Sequence, residues 1–126
     1  MKNAVFLVVG LTALTGYAHS QSTAADFQIE VVVKDEMVSL TCEQGCAWQE
    51  MTFTLGLYRQ QGVDAYGMTK GKEETATSDS PFHFALRREN GQLVFDNLKG
   101  AAWVSLQAGC NKHCRLHLDS EGIKSY

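Results

Sequence analysis

The chain has 126 residues and carries 11 Lys and Arg against 14 Asp and Glu, a formal net charge of −3. With that slight acidic excess and no basic stretch interleaved with aromatics, nucleic acid is excluded as an expected partner. The length suits a single domain.

Met1-Lys2-Asn3 carries one positive side chain, the apolar run Ala4 to Leu14 follows, and Thr15-Gly16-Tyr17-Ala18-His19-Ser20 closes the segment. This is the layout of a secretory signal peptide. The run falls short of the ~18 to 20 apolar residues that a bilayer span needs. Ala18 and Ser20 supply the small residues expected at −3 and −1, so residues 1–20 are read as a leader cleaved before Gln21. The mature domain is then 21–126, 126 − 20 = 106 residues, with no membrane span and a net charge of 10 − 14 = −4 once Lys2 is lost. Its expected location is the periplasm or the cell exterior.

The mature chain repeats itself at an offset of 55 residues. Identical pairs are Phe27/Phe82, Gly45/Gly100, Ala47/Ala102, Trp48/Trp103, Asp64/Asp119 and Gly67/Gly122, and the two tryptophans are the only ones in the chain. Apolar positions also coincide: Ile29 with Phe84, Val31 with Leu86, Val38 with Leu93, Leu40 with Phe95, and Val63 with Leu118. We read repeats at 27–68 and 82–123 joined by a polar linker, 69–81.

In each repeat a β-branched or apolar run leads to a turn, Asp35-Glu36 in one and Asn90-Gly91 in the other, and then to a second run. Asn-Gly between apolar runs is a strong signal for a two-residue hairpin. Centring the turn there pairs Val33 with Val38, Val31 with Leu40 and Ile29 with Cys42, all on one face. The same register sets Leu86 against Phe95. It also sets Arg88 against Leu93, a mismatch that places the second repeat's turn end near the surface. Connections ending in Gly45 and Gly100 lead into third strands, Trp48 to Leu55 and Trp103 to Cys110. Gly56-Leu57-Tyr58 and Asn111-Lys112-His113 then lead to short fourth strands that close with Asp-x-x-Gly turns, in which the Asp caps the turn. Each repeat of about 42 residues is too small to bury a core alone. The expected fold is therefore all-β, two four-stranded antiparallel units packed together as one sandwich or small barrel.

All four cysteines lie in the mature chain, as Cys42/Cys46 and Cys110/Cys114. An even count in a small exported domain points to disulfides. Each pair brackets a three-residue connection, and each is present in one repeat and wholly replaced in the other, by Asn97/Ala101 and Leu55/Arg59. We therefore expect Cys42–Cys46 and Cys110–Cys114. The alternative is a zinc or copper site built from Cys110, His113, Cys114 and His117, a spacing that gathers all four on one face of a helix. On a strand His117 would point away from Cys114, which opposes that reading.

No nucleophile or metal-hydrolase motif is present, so an enzyme, in the form of a small secreted hydrolase, ranks last. The favoured function is a disulfide-stapled binding module for a protein, a glycan or a small ligand, without a cofactor. Leu57, Tyr58 and Tyr66, apolar or aromatic side chains at expected turns, are the first candidates for contact. Trp48 and Trp103 join them if they face outward, where they could stack on a sugar.

Overall fold

The computed structural model describes residues 25–70 and 79–125. The expected leader and most of the expected linker lie outside the described residues. Ten strands follow in order: β1 (Gln28–Lys34), β2 (Met37–Gln44), β3 (Glu50–Thr54), β4 (Gln60–Asp64), β5 (Gly67–Thr69), β6 (His83–Glu89), β7 (Gln92–Lys99), β8 (Ser105–Gly109), β9 (His113–Asp119) and β10 (Gly122–Ser125). Among the described residues there is no helix long and apolar enough to cross a membrane.

The strands form two five-stranded antiparallel sheets, β10-β9-β1-β2-β3 and β5-β4-β6-β7-β8. Alternation along β1 explains the first: Ile29, Val31 and Val33 are buried while Gln28 and Lys34 are exposed. Their hairpin partners across β1–β2 are Cys42, Leu40 and Val38. In the second sheet Leu86 faces Phe95 and Arg88 faces Leu93. Asn90 and Gly91 both adopt positive φ, 54° and 74°, the backbone that a two-residue hairpin turn demands.

Both inner faces feed one buried cluster. Ile29, Val31, Leu40 and Leu118 from the first sheet join Val63, Phe84, Leu86 and Phe95 from the second. Phe27 stacks on Phe82 with ring centroids 4.4 Å apart. Each large side chain removed from water here stabilises the fold by about 1.5–3 kcal/mol. The arrangement is that of a two-sheet sandwich.

In two details the structure differs from the expected units. Each half contributes five strands, because the Asp-x-x-Gly turns are hairpin turns into β5 and β10. Asp64 Oδ1 accepts from the backbone N–H groups of Tyr66 and Gly67 at 2.8 and 3.0 Å, and Asp119 Oδ1 does the same for Glu121 and Gly122. The connection after β3, like that after β8, does not return to its own sheet. It crosses to the other one, so β4 pairs with β6 and β9 pairs with β1. The pairings Val31 with Leu116 and Leu86 with Gln61 repeat at the 55-residue offset, since 31 + 55 = 86 and 61 + 55 = 116.

The tryptophans tie the sheets together. Trp48, on the link between β2 and β3, donates its indole N–H to the Asp64 carbonyl at 2.9 Å, and Trp103 donates to the Asp119 carbonyl at 3.0 Å. Each bond runs from a loop of one sheet to a strand end of the other. Trp103 is 8% exposed and Trp48 packs against the core, so neither forms an outward sugar platform. Gly45 and Gly100 sit where the incoming chain passes closely. A Cβ on Gly100 would strike the Pro81 carbonyl and Phe82 Cα, and its φ is 90°. Within 69–81, Thr69 belongs to β5, and Ser80 is buried, receiving the Ala65 N–H and donating to the Phe82 carbonyl.

Disulfides join Cys42 to Cys46 and Cys110 to Cys114, a feature typical of oxidising compartments. Where the first half has the Cys42–Cys46 bridge, the second has Asn97 bonded twice to Ala101: its Nδ2 donates to the Ala101 carbonyl, and its Oδ1 accepts the Ala101 N–H at 3.2 Å. The Cys110–Cys114 bridge does not bracket a hairpin. It spans the crossing from β8 to β9, and so links the two sheets.

Two outcomes follow for stability. Gly100→Ala should destabilise by about 1–3 kcal/mol from backbone strain alone, with Gly109→Ala, which meets open space, as the control in urea unfolding. An N97C/A101C variant should close a third bridge and show no alkylatable thiol by intact mass, whereas Asn97→Ala should cost about 1–3 kcal/mol.

Candidate functional site

One end of the sandwich gathers the β1–β2 turn, the β6–β7 turn and the two crossings. Between them lies a cleft of about 520 Å³, within the range of small-molecule sites. Its lip holds Leu57 and Tyr58, 63% and 73% exposed. Short backbone bonds fix the walls: Asp35 N–H to Lys112 carbonyl, 2.8 Å; Leu55 N–H to Glu36 carbonyl, 2.7 Å; Cys110 N–H to Gly91 carbonyl, 2.9 Å. The disulfide-linked Cys110 forms part of the lining.

Tyr58 has φ 62°. A bulky non-glycine residue rarely adopts that backbone, which costs of order 1–3 kcal/mol. The bond from its N–H to the Arg88 carbonyl, 3.1 Å, and a parallel bridge between Leu57 and Arg88 hold the segment against β6. The strain is not repaid by burial of the ring. It displays the phenol and the adjacent leucine at the mouth of the cleft.

Arg88 lies in the wall and is only 9% exposed. The sequence places this turn end near the surface. Instead Arg88 occupies the inward position that Val33 holds in the first half, and its side chain is buried. Its guanidinium donates to the carbonyls of Asp35 and Asn111, bonds that tie the β1–β2 turn and the second crossing to β6. The carboxylates nearby turn elsewhere: Asp35 Oδ1 lies 3.6 Å from His113 Nε2, and Glu89 Oε2 lies 3.3 Å from Arg87 Nε. Burial works against the charge of Arg87, but its bonds to Glu89 and Asp96 hold its pKa above the usual value.

The other candidates are placed apart. Tyr66 sits at the β4–β5 turn, half exposed, its hydroxyl donating to Asp79 Oδ2 at 3.2 Å. Trp48 and Trp103 lie in the inter-sheet clamps. In their disulfide, Cys110 and Cys114 offer no thiolate. His113 and His117 alternate with Cys114 along β9 and lie beside Lys34 and Glu30 of β1, and His117 Nε2 lies 3.6 Å from Glu43 Oε1. Among the described residues no group of three or more His, Cys, Asp or Glu side chains could hold a metal ion.

Of the cleft lining, sequence reasoning finds Leu57 and Tyr58 and misses the rest as binding residues, Arg88, Asn111 and Lys112 among them. The one signal for Arg88 is a charged side chain at a position that the repeat makes apolar, Val33 in the other half.

Tyr58→Gly should stabilise the protein by up to about 1 kcal/mol, because relief of strain outweighs the added unfolded-state entropy; urea unfolding checks it, and a loss of stability would show that the ring braces the fold. The Asp79 charge, helped by desolvation and the hydrogen bond, raises the Tyr66 pKa above the usual tyrosine value. The phenol's contribution to stability is therefore present below its unfolded pKa and lost as pH rises through the folded one. Asp79→Asn should shift the spectrophotometric phenol titration to lower pH. The chain matches no protein-family model, no curated protein and no solved structure.

Proposed function

We propose that this protein is an exported, disulfide-braced β-scaffold that acts as a binding module, and that its binding surface is the cleft between the two crossings. The observation that carries the reading is the strained, exposed Leu57-Tyr58 segment at the mouth of a concave site. Backbone strain held without a packing return is drawn toward functional positions, and an aromatic side chain beside a cleft is the usual anchor of a recognition surface. Two disulfides and the backbone bonds between turns and crossings keep the walls preorganised, which lowers the ordering cost of binding. Export to the periplasm or the cell exterior fits both the leader-like N-terminus and the bridges.

The test is a fragment screen on the mature, disulfide-intact protein, followed by amide chemical shifts. Ligands should perturb the resonances of Asp35, Leu57, Tyr58, Gly91 and Asn111, and Tyr58→Ala should weaken them about tenfold, the effect of losing one aromatic anchor. Perturbations centred on Tyr66 and Met68, or none at all, would overturn the assignment.

A further inference from the structure

Arg88 is a buried cation with no carboxylate paired to it among the described residues. Among the described residues no carboxylate forms an ion pair with it, and its hydrogen bonds go to two main-chain carbonyls. A guanidinium carries five N–H donors in a planar fork, so the two carbonyls leave donors over. The Nε–H makes neither of these bonds and is not sealed in, since the buried side-chain polar atoms without a hydrogen-bond partner do not include it. It belongs to a side chain that lines the cleft. Removing a cation from water without a counter-charge is unfavourable. An anion entering the cleft would supply what the described residues do not.

Resting on the binding site assigned above, we infer that the cleft takes a monoanionic carboxylate attached to an apolar or aromatic body, the carboxylate on Arg88 and the body against Leu57 and Tyr58. Three features fix the class. A carboxylate is planar and matches the guanidinium fork. Asp35, Glu36 and Glu89 line the same cleft as the cations Arg88 and Lys112, so a dianion such as a phosphate ester meets three carboxylates and is repelled more strongly than a single charge. The lip is apolar and aromatic, suited to a hydrocarbon body rather than a bare ion. Asn90, Gln92 and Asn111 add amide-bearing residues to the lining. A free small acid and the C-terminus of a peptide share this chemistry.

The experiment is calorimetric titration of the mature, disulfide-intact protein with 3-phenylpropionate, its primary amide, inorganic phosphate, and an acetylated dipeptide ending in phenylalanine as free acid and as amide. At least one acid should bind about tenfold or more tighter than its amide, the effect of losing one charge-assisted fork, and phosphate should not compete. The stronger of the two acids names the source. Lys112→Gln, at an exposed position, should narrow the acid-to-amide ratio, and Arg88→Gln should abolish it. The ratio in the unaltered protein is decisive even if the Arg88 variant fails to fold. Equal affinity for acid and amide, or phosphate binding tighter than either acid, overturns the inference while leaving the cleft as a binding surface. If no probe binds and the fragment screen is also silent at the cleft, the site itself falls.

Discussion

Val31 and Val33 on β1 have Leu40 and Val38 on one side, and on the other Leu116 and Cys114, strand neighbours supplied by the opposite half of the chain. The rest of the architecture depends on this exchange. A half that kept its own five strands would have no second sheet to cover Ile29, Val31 and Leu40, and its apolar face would lie open to water. By passing two strands across, each half completes the other's sheet. Both crossings are thereby forced to one end of the sandwich, beside the β1–β2 and β6–β7 turns. The cleft is a by-product of that geometry: four chain reversals meet where neither sheet extends.

The two halves solve the same mechanical problems with different chemistry. At the exit of β2 a covalent bridge fixes the loop; at the exit of β7 a pair of hydrogen bonds from Asn97 does. A bridge over so short a loop is worth about 2 kcal/mol through the unfolded state, and a pair of side-chain hydrogen bonds is of comparable size. The halves part company at the crossings. Leu57-Tyr58 is apolar, strained and free of a disulfide, while Asn111-Lys112 is polar and clamped by Cys110–Cys114. The asymmetry between the halves lies there and at Arg88, and the Trp clamps and Asp-capped turns at the far end are alike in both halves.

Much of the fold is legible in the residues. The Asn90-Gly91 turn and the alternation of Ile29, Val31 and Val33 set the hairpin registers, and Gly45 and Gly100 read as turn glycines and adopt positive φ. The crossings are not legible, because a short link reads the same whether the next strand returns to its own sheet or enters the other. β5 and β10 escape notice because Asp-x-x-Gly looks like an end when it is a reversal. Of the candidate site, Leu57 and Tyr58 stand out as apolar residues in a turn. The positive φ of Tyr58 has no sequence signature, and Arg88 breaks an apolar pattern in a way that reads as exposure.

The composition of the sheets also orders their assembly in time. The second sheet is made of one continuous stretch, β4 to β8, in which β4 and β6 partners are 19 to 27 residues apart (83 − 64 and 87 − 60). The first sheet is sewn from the two ends of the chain, with β1 and β9 partners 79 to 91 residues apart (113 − 34 and 119 − 28). Closing the longer loops is slower. The second sheet is therefore ready to form first, while the edge of β1 away from β2 waits unpaired, a template for pairing with other chains, until β9 closes over it.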